Sequence, residues 1–227
     1  MHEIQDAILH RYYLNSFERV IYTESHDEVA NGKSRIPEEV DPGSASSWAA
    51  RKKSMLGAAI VFTTPGIPMI FQGQEFLEDD WFHDQDPLDW SKIDEYPGIL
   101  QFYKDLIALR KNTGGVTAGL VGQAVDILHL NNHANVIAYH RWSENGRGDS
   151  TVVIANFSIH AHEHYGIVFP AAGRWVVRLN SDSSYYSPDF GNDGMSEVHA
   201  DSDGEDKRPT AYIRIAPYSV LILSQDG

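Results

Sequence analysis

Apolar positions along this chain change their rhythm once, near residue 116. Before that point two patterns alternate. Ile4, Ala7, Ile8 and Tyr12 fall at helical spacing and predict a helix over residues 2–15. Trp48, Met55, Leu56, Ala59 and Phe62 predict a second helix over about 46–63, ended by Pro65-Gly66. Ile99, Phe102, Tyr103, Leu106 and Ile107 predict a third over about 97–111, stopped by Gly114-Gly115, with Arg110 and Lys111 suited to its C-terminal dipole. Between these helices stand two short, unalternating apolar runs, Val20-Ile21-Tyr22-Thr23 and Met69-Ile70-Phe71. Both are too short for helices and read as strands buried on both faces of a parallel sheet. A polar loop is expected over 24–42, and an acidic, aromatic loop after Phe71.

After residue 116 candidate strands come thickly, at 125–130, 136–142, 151–157, 166–169, 174–179, 211–215 and 220–223. Turn clusters such as Asn131-Asn132-His133 and Asn145-Gly146 separate them. The expected fold is therefore α/β over 1–115, the grammar of crossover helices on parallel strands, then an all-β antiparallel sandwich over 116–227. The Ser-, Asp- and Gly-rich stretch 181–209 is expected to be a long irregular loop, and no internal repeat is visible. Two and a half βα units cannot close a sheet on themselves. If they belong to a barrel, its other strands come from upstream sequence, and this piece alone exposes the flank of Val20 to Thr23.

Composition narrows the partners. With 227 residues, 42% hydrophobic and 11% aromatic, the chain can build a core. Its formal net charge of −14, with no basic stripe, disfavours nucleic acid. No apolar run reaches the roughly 18 residues of a membrane span. The start, Met1-His2-Glu3-Ile4, is neither a signal nor a transit peptide, and the absence of cysteine fits a reducing compartment, so a cytoplasmic location is expected.

The chemistry concentrates in Thr23-Glu24-Ser25-His26-Asp27-Glu28, directly after the first predicted strand. In α/β barrels functional side chains gather at C-terminal strand ends. There an ionised Asp can accept hydrogen bonds from two vicinal sugar hydroxyls while a neighbouring His donates one. The same dipeptide also reads as a strand-end turn whose Asp caps a backbone N–H.

The wider pattern adds a resemblance. Glu24-Ser25-His26-Asp27-Glu28-Val29 followed by Gly32-Lys33-Ser34 resembles the last signature region of the α-amylase superfamily, and within it the 1,4-α-glucan branching enzymes. Pro65-Gly66-Ile67-Pro68-Met69-Ile70-Phe71-Gln72-Gly73-Gln74-Glu75-Phe76 is similar to that family's eighth barrel strand, and Trp81 and Leu88-Asp89-Trp90 match the Trp and the Leu-Asp-Trp that branching enzymes tend to carry after that strand. Residues 102–110 look like the last barrel helix. Ala155-Asn156-Phe157-Ser158 and Pro217-Tyr218-Ser219-Val220-Leu221 resemble the family's C-terminal β domain. The resemblance implies the C-terminal portion of a (β/α)8 (TIM) barrel, its last two strands and their helices, followed by an antiparallel β-sandwich. It implies a retaining reaction on α-1,4-glucan, in which one carboxylate attacks and another serves as acid then base. Asp27 matches a third carboxylate, the transition-state stabiliser, and His26 its sugar-binding neighbour; Glu28 and Trp81 are further substrate-binding candidates. Nothing here matches the nucleophile or the acid/base, which the missing N-terminal barrel part would supply, and Glu75 is not promoted to either role. An α-amylase-type hydrolase and a non-catalytic glucan-binding remnant stand beside the branching reading.

Other motifs yield less. Gly32-Lys33-Ser34 is not a phosphate loop, because Asp27 stands where the first glycine belongs. His160, His162 and His164 alternate as ligands on one strand face would, or as a solvated edge strand does. Asp201, Asp203 and Asp206 around Gly204 lack the Glu that closes a calcium loop. The acidic run Glu78, Asp79, Asp80, Asp84 and Asp86 reads as a solvated loop, or as sugar-binding acids beside Trp81 and Phe82. No cofactor is implied, and the superfamily's usual calcium ligands lie upstream.

Overall fold

The computed structural model describes residues 1–144, 149–202 and 208–226. Its first part runs α1 (His2–Leu9), β1 (Val20–Ile21), the short helices α2 (His26–Val29) and α3 (Ile36–Val40), α4 (Trp48–Thr63), β2 (Ile67–Pro68), α5 (Lys92–Glu95) and α6 (Pro97–Arg110). β1 and β2 are parallel neighbours, Val20 facing Ile67 and Ile21 facing Pro68, with α4 as the crossover between them. The Ser47 hydroxyl caps α4 by accepting from Ala50 N. Pro97 opens α6, where its missing N–H costs nothing.

Several local expectations shift. α1 stops at Leu9, six residues early, because the chain turns back where Tyr12 bridges Asn15, and Tyr12 is 52% exposed rather than part of the stripe. The second strand lies at Ile67–Pro68 instead of 69–71, although Met69 N still donates to Ile21 O at 2.8 Å. Neither strand is buried on both faces: Val20 and Ile67 are each about half exposed. The polar loop 24–42 contains α2 and α3.

The second part holds β3 (Ala124–Asn131), β4 (Val136–Trp142), β5 (Thr151–Asn156), β6 (His162–Val168), β7 (Gly173–Asn180), β8 (Glu197–Ala200), β9 (Thr210–Ile215) and β10 (Ser219–Ser224). Six of them form one antiparallel sheet in the order β3-β4-β5-β10-β7-β8, and β6 pairs with β9 in a second. β8 lies inside the stretch expected to be irregular, and β6 begins four residues before the predicted strand. The Asn145-Gly146 turn falls outside the described residues.

The six-stranded sheet is covered on both sides. Alternate residues Ile137, Tyr139, Val153, Ala155, Val220 and Ile222 share a core with Met55, Phe62, Phe102 and Leu106 of α4 and α6. Their neighbours Val136, Ala138, Val152, Ile154, Leu221 and Leu223 share another with Ile167, Phe169, Ala211, Ile213 and Ile215 of the β6–β9 pair. Period-two alternation thus sends apolar side chains both ways, and β5 and β10 read as unbroken buried runs. Two buried cations stitch the helices to this sheet. Arg141, fully buried on β4, donates to the carbonyls of Thr63, Leu120, Gly122 and Ala124. Lys52 of α4 pairs with Asp182, just past β7. No described helix is long and apolar enough to cross a membrane.

Candidate functional site

The ends of β1 and β2 are tied together by a network of buried and half-buried side chains. Glu24, 2% exposed, accepts from Ile36 N at 2.8 Å and faces Arg35 Nη1 at 3.2 Å. Arg35, 1% exposed, also donates to Gln72 O and to Asp80 O, both at 2.9 Å, and lies 5.0 Å over the Phe71 ring. One guanidinium fork therefore grips the loop after β1, the loop after β2 and the acidic loop at once. Burial pushes the Glu24 carboxyl above its ordinary range, against the opposing pull of the Ile36 N–H and of Arg35. Gln74 adds a further tie: its Nε2 donates to Thr23 Oγ1 at 2.8 Å, and its Oε1 accepts from Phe71 N at 2.8 Å. Gly73 makes the turn before it, at φ 90°, where a Cβ would stand 2.6 Å from Glu78 Cβ.

On this base sits α2. His26 and Asp27 open it with side chains 68% and 82% exposed, His26 Nε2 lying 3.3 Å from Asp27 Oδ1. Among the described residues the Asp27 carboxylate caps no backbone N–H; its carbonyl accepts from Lys33 Nζ at 3.0 Å. Glu28 is exposed and borders a cleft of about 450 Å³ with Thr23, Glu24, Gly32, Lys33 and Glu39. The acidic loop is zipped to the end of α2: Phe82 N donates to Val29 O at 2.7 Å, and Ala30 bridges Phe82. Phe82 then packs edge-on to Phe71 at 5.4 Å, which leaves Trp81, 45% exposed, as the freer ring.

The acidic run divides. Glu78 is 2% exposed, accepts from the N–H groups of Asp79, Asp80 and Asp89, and pairs with Lys92 at 2.8 Å. Burial alone would raise its carboxyl, but Lys92 and the N–H groups of Asp89 and Asp80 hold it below the ordinary range. Asp79 also pairs with Lys92. These two acids are loop scaffolding, while Asp84 and Asp86 face solvent. Arg35 and Lys92 are the residues that sequence reading missed, each a single charge that gave no pattern to find; Glu24 and Glu78 stood inside quoted motifs, but their buried pairing had no signal there.

The histidines separate. His164 stacks on Tyr212 at 4.1 Å, the His162 ring lies 4.8 Å from Tyr165, and His160 precedes the strand. Among the described residues no three His, Asp or Glu side chains gather as a metal site. Asp201 bridges Thr210, whereas Asp203, Gly204 and Asp206 lie outside the described residues.

Comparison with known proteins places this geometry in context. Residues 127–226 match the family described as alpha amylase, C-terminal all-beta domain. A 1,4-alpha-glucan branching enzyme GlgB of Pseudomonas fluorescens is 32% identical over 216 residues, which cover 92% of this chain and 28% of that protein. The same enzyme of Roseobacter denitrificans is 33% identical over 174 residues, 74% of this chain and 23% of its own. Among solved structures, a pullulanase from an Anoxybacillus species, complexed with maltotetraose, superposes with a TM-score of 0.65 at 19% identity, over 99% of this chain and 30% of that one. A gamma-CGTase from Alkalophilic bacillus clarkii superposes at 0.64 and 15% identity, over 95% of this chain and 27% of its own. The fold is shared, and the chain spans less than a third of the length of the curated relatives it matches.

Proposed function

As a member of the α-amylase family by its C-terminal all-beta domain, this chain is, we propose, the closing portion of a 1,4-α-glucan branching enzyme. Residues 1–115 end its catalytic barrel and residues 116–227 form its C-terminal domain. The observation that carries the reading is the strand-end turn: an exposed Asp27 beside His26, rooted on the buried Glu24–Arg35 pair where two parallel strands end. A carboxylate so placed accepts hydrogen bonds from adjacent sugar hydroxyls. It favours the positively charged, distorted sugar that forms as the glycosidic bond breaks. His26 donates to a hydroxyl of the same ring, Glu28 stands exposed at the next position of the turn, and Trp81 offers an apolar face to a neighbouring glucose. The nucleophile and the acid/base belong to other strands of a longer protein, so this chain by itself binds glucan without turning it over.

The test uses amylose and the longer protein. A fall in iodine absorbance without new reducing ends indicates branching. A rise in reducing ends indicates the hydrolase reading instead, in which water captures the same intermediate. No change in either sinks both.

A further inference from the structure

A second cleft, of about 590 Å³, lies between the first turn of α6 and the loop after β7. Its volume falls within the roughly 300–1,000 Å³ of small-molecule sites. It shares no lining residue with the cleft beside Glu28. Tyr96 and Tyr185 line it, and Tyr185 is 68% exposed. The ground beneath Tyr185 is firm. Its ring leans on Tyr186 at 5.4 Å; Tyr186 is buried, stands edge-on to Phe102 at 5.1 Å and donates its hydroxyl to Asp105 at 2.8 Å. Gly98 meets the same loop so closely that a Cβ there would stand 1.9 Å from Tyr186 O. Arg51 Nη1 pins Asp189 at 2.9 Å on the same rim, beside the exposed carboxylates of Asp94 and Glu95 and the exposed hydroxyl of Ser184.

These groups select a chemistry. Two aromatic rings offer flat apolar faces, and the carboxylates offer acceptors without donors. Three acids against one arginine repel an anion, so a phosphorylated or carboxylated ligand is disfavoured. A neutral ring with one apolar face and hydroxyls around its edge fits. We propose that this cleft is a second binding site for a neutral α-glucan chain, separate from the turn that carries Asp27. The choice of α-glucan among sugars rests on the function proposed above. Such a site holds a long chain to the protein while another stretch of it lies at the strand-end turn, so the two act as linked grips.

Native electrophoresis of the purified chain through gels containing glycogen tests this. The wild type is retarded, equally at low and high salt because the ligand carries no charge. Tyr185→Ala, at an exposed position that leaves folding intact, binds about tenfold more weakly for want of the ring, and Tyr185→Trp restores retardation. A wild type that glycogen does not retard, or a Tyr185→Ala chain retarded like the wild type, overturns the proposal. Amylose branching by the longer protein, measured separately, distinguishes the two readings: turnover with an indifferent Tyr185 fails the cleft alone, and absent turnover fails the branching assignment.

Discussion

Arg35 and Glu24 meet at 3.2 Å, both almost wholly buried, at the root of the turn that presents His26 and Asp27. Removing one partner of such a pair strands the other charge away from water. Arg35→Ala should therefore cost about 3–5 kcal/mol, read from urea denaturation. Arg35→Lys should recover less than half of that, because a single ammonium cannot reach Glu24, Gln72 O and Asp80 O together. A loss below about 1 kcal/mol in the alanine variant would show that the pair does not organise the strand ends.

Asp27 presents the opposite case, being 82% exposed with little to stabilise. Asp27→Asn should leave the melting temperature unchanged. In the longer protein it should lower kcat at least about a hundredfold, the worth of two weakened charge-assisted hydrogen bonds. Activity within threefold of wild type would remove Asp27 from the reaction.

The Asp189 carboxyl is held down to about 2, first by its hydrogen bond with Arg51, with burial opposing and Ser187 adding to the lowering. Because its folded value lies below the unfolded one, its contribution is complete above the ordinary carboxylate range and is lost as pH falls toward 2. Melting curves of the wild type and Asp189→Asn should differ at pH 5 and converge near pH 2. The difference should be modest, since half of the Asp189 side chain faces solvent. Parallel curves across that window would refute the linkage.

Gly98 allows the first turn of α6 to touch the loop carrying Tyr185 and Tyr186. Gly98→Ala forces backbone apart, with an expected cost of about 1–3 kcal/mol. It should also weaken glycogen retardation in the native gel. An unchanged melting temperature would mean the contact yields easily.

The helices α4 and α6 were legible because each carries several turns of apolar stripe. The strands β5 and β10 were legible because Val152 to Ala155 and Val220 to Leu223 are unbroken apolar runs. The runs starting at Val20 and Met69 misled, since a run suited to a doubly covered strand does not reveal whether both covers are present: Val20 is half exposed and Met69, Ile70 and Phe71 are only partly buried. β8 hid because its alternation, Val198 and Ala200 buried between exposed Glu197 and His199, spans only four residues of a Ser- and Asp-rich stretch. At the candidate site His26 and Asp27 stand out in the sequence by their motif. Arg35 could not: two of its three partners are backbone carbonyls, 37 and 45 residues away, and a carbonyl has no letter in the sequence.

The six-stranded sheet, wrapped by helices on one side and by β6 and β9 on the other, makes the two halves of the chain a single thermodynamic citizen. Cutting near residue 116 would not release two modules. It would bare a greasy sheet face on one piece and unsupported helices on the other, and calorimetry of the uncut chain should show one melting peak. The inner face of this β domain is also the floor on which α4 and α6 stand, so any all-β module put in its place would have to present the same apolar floor.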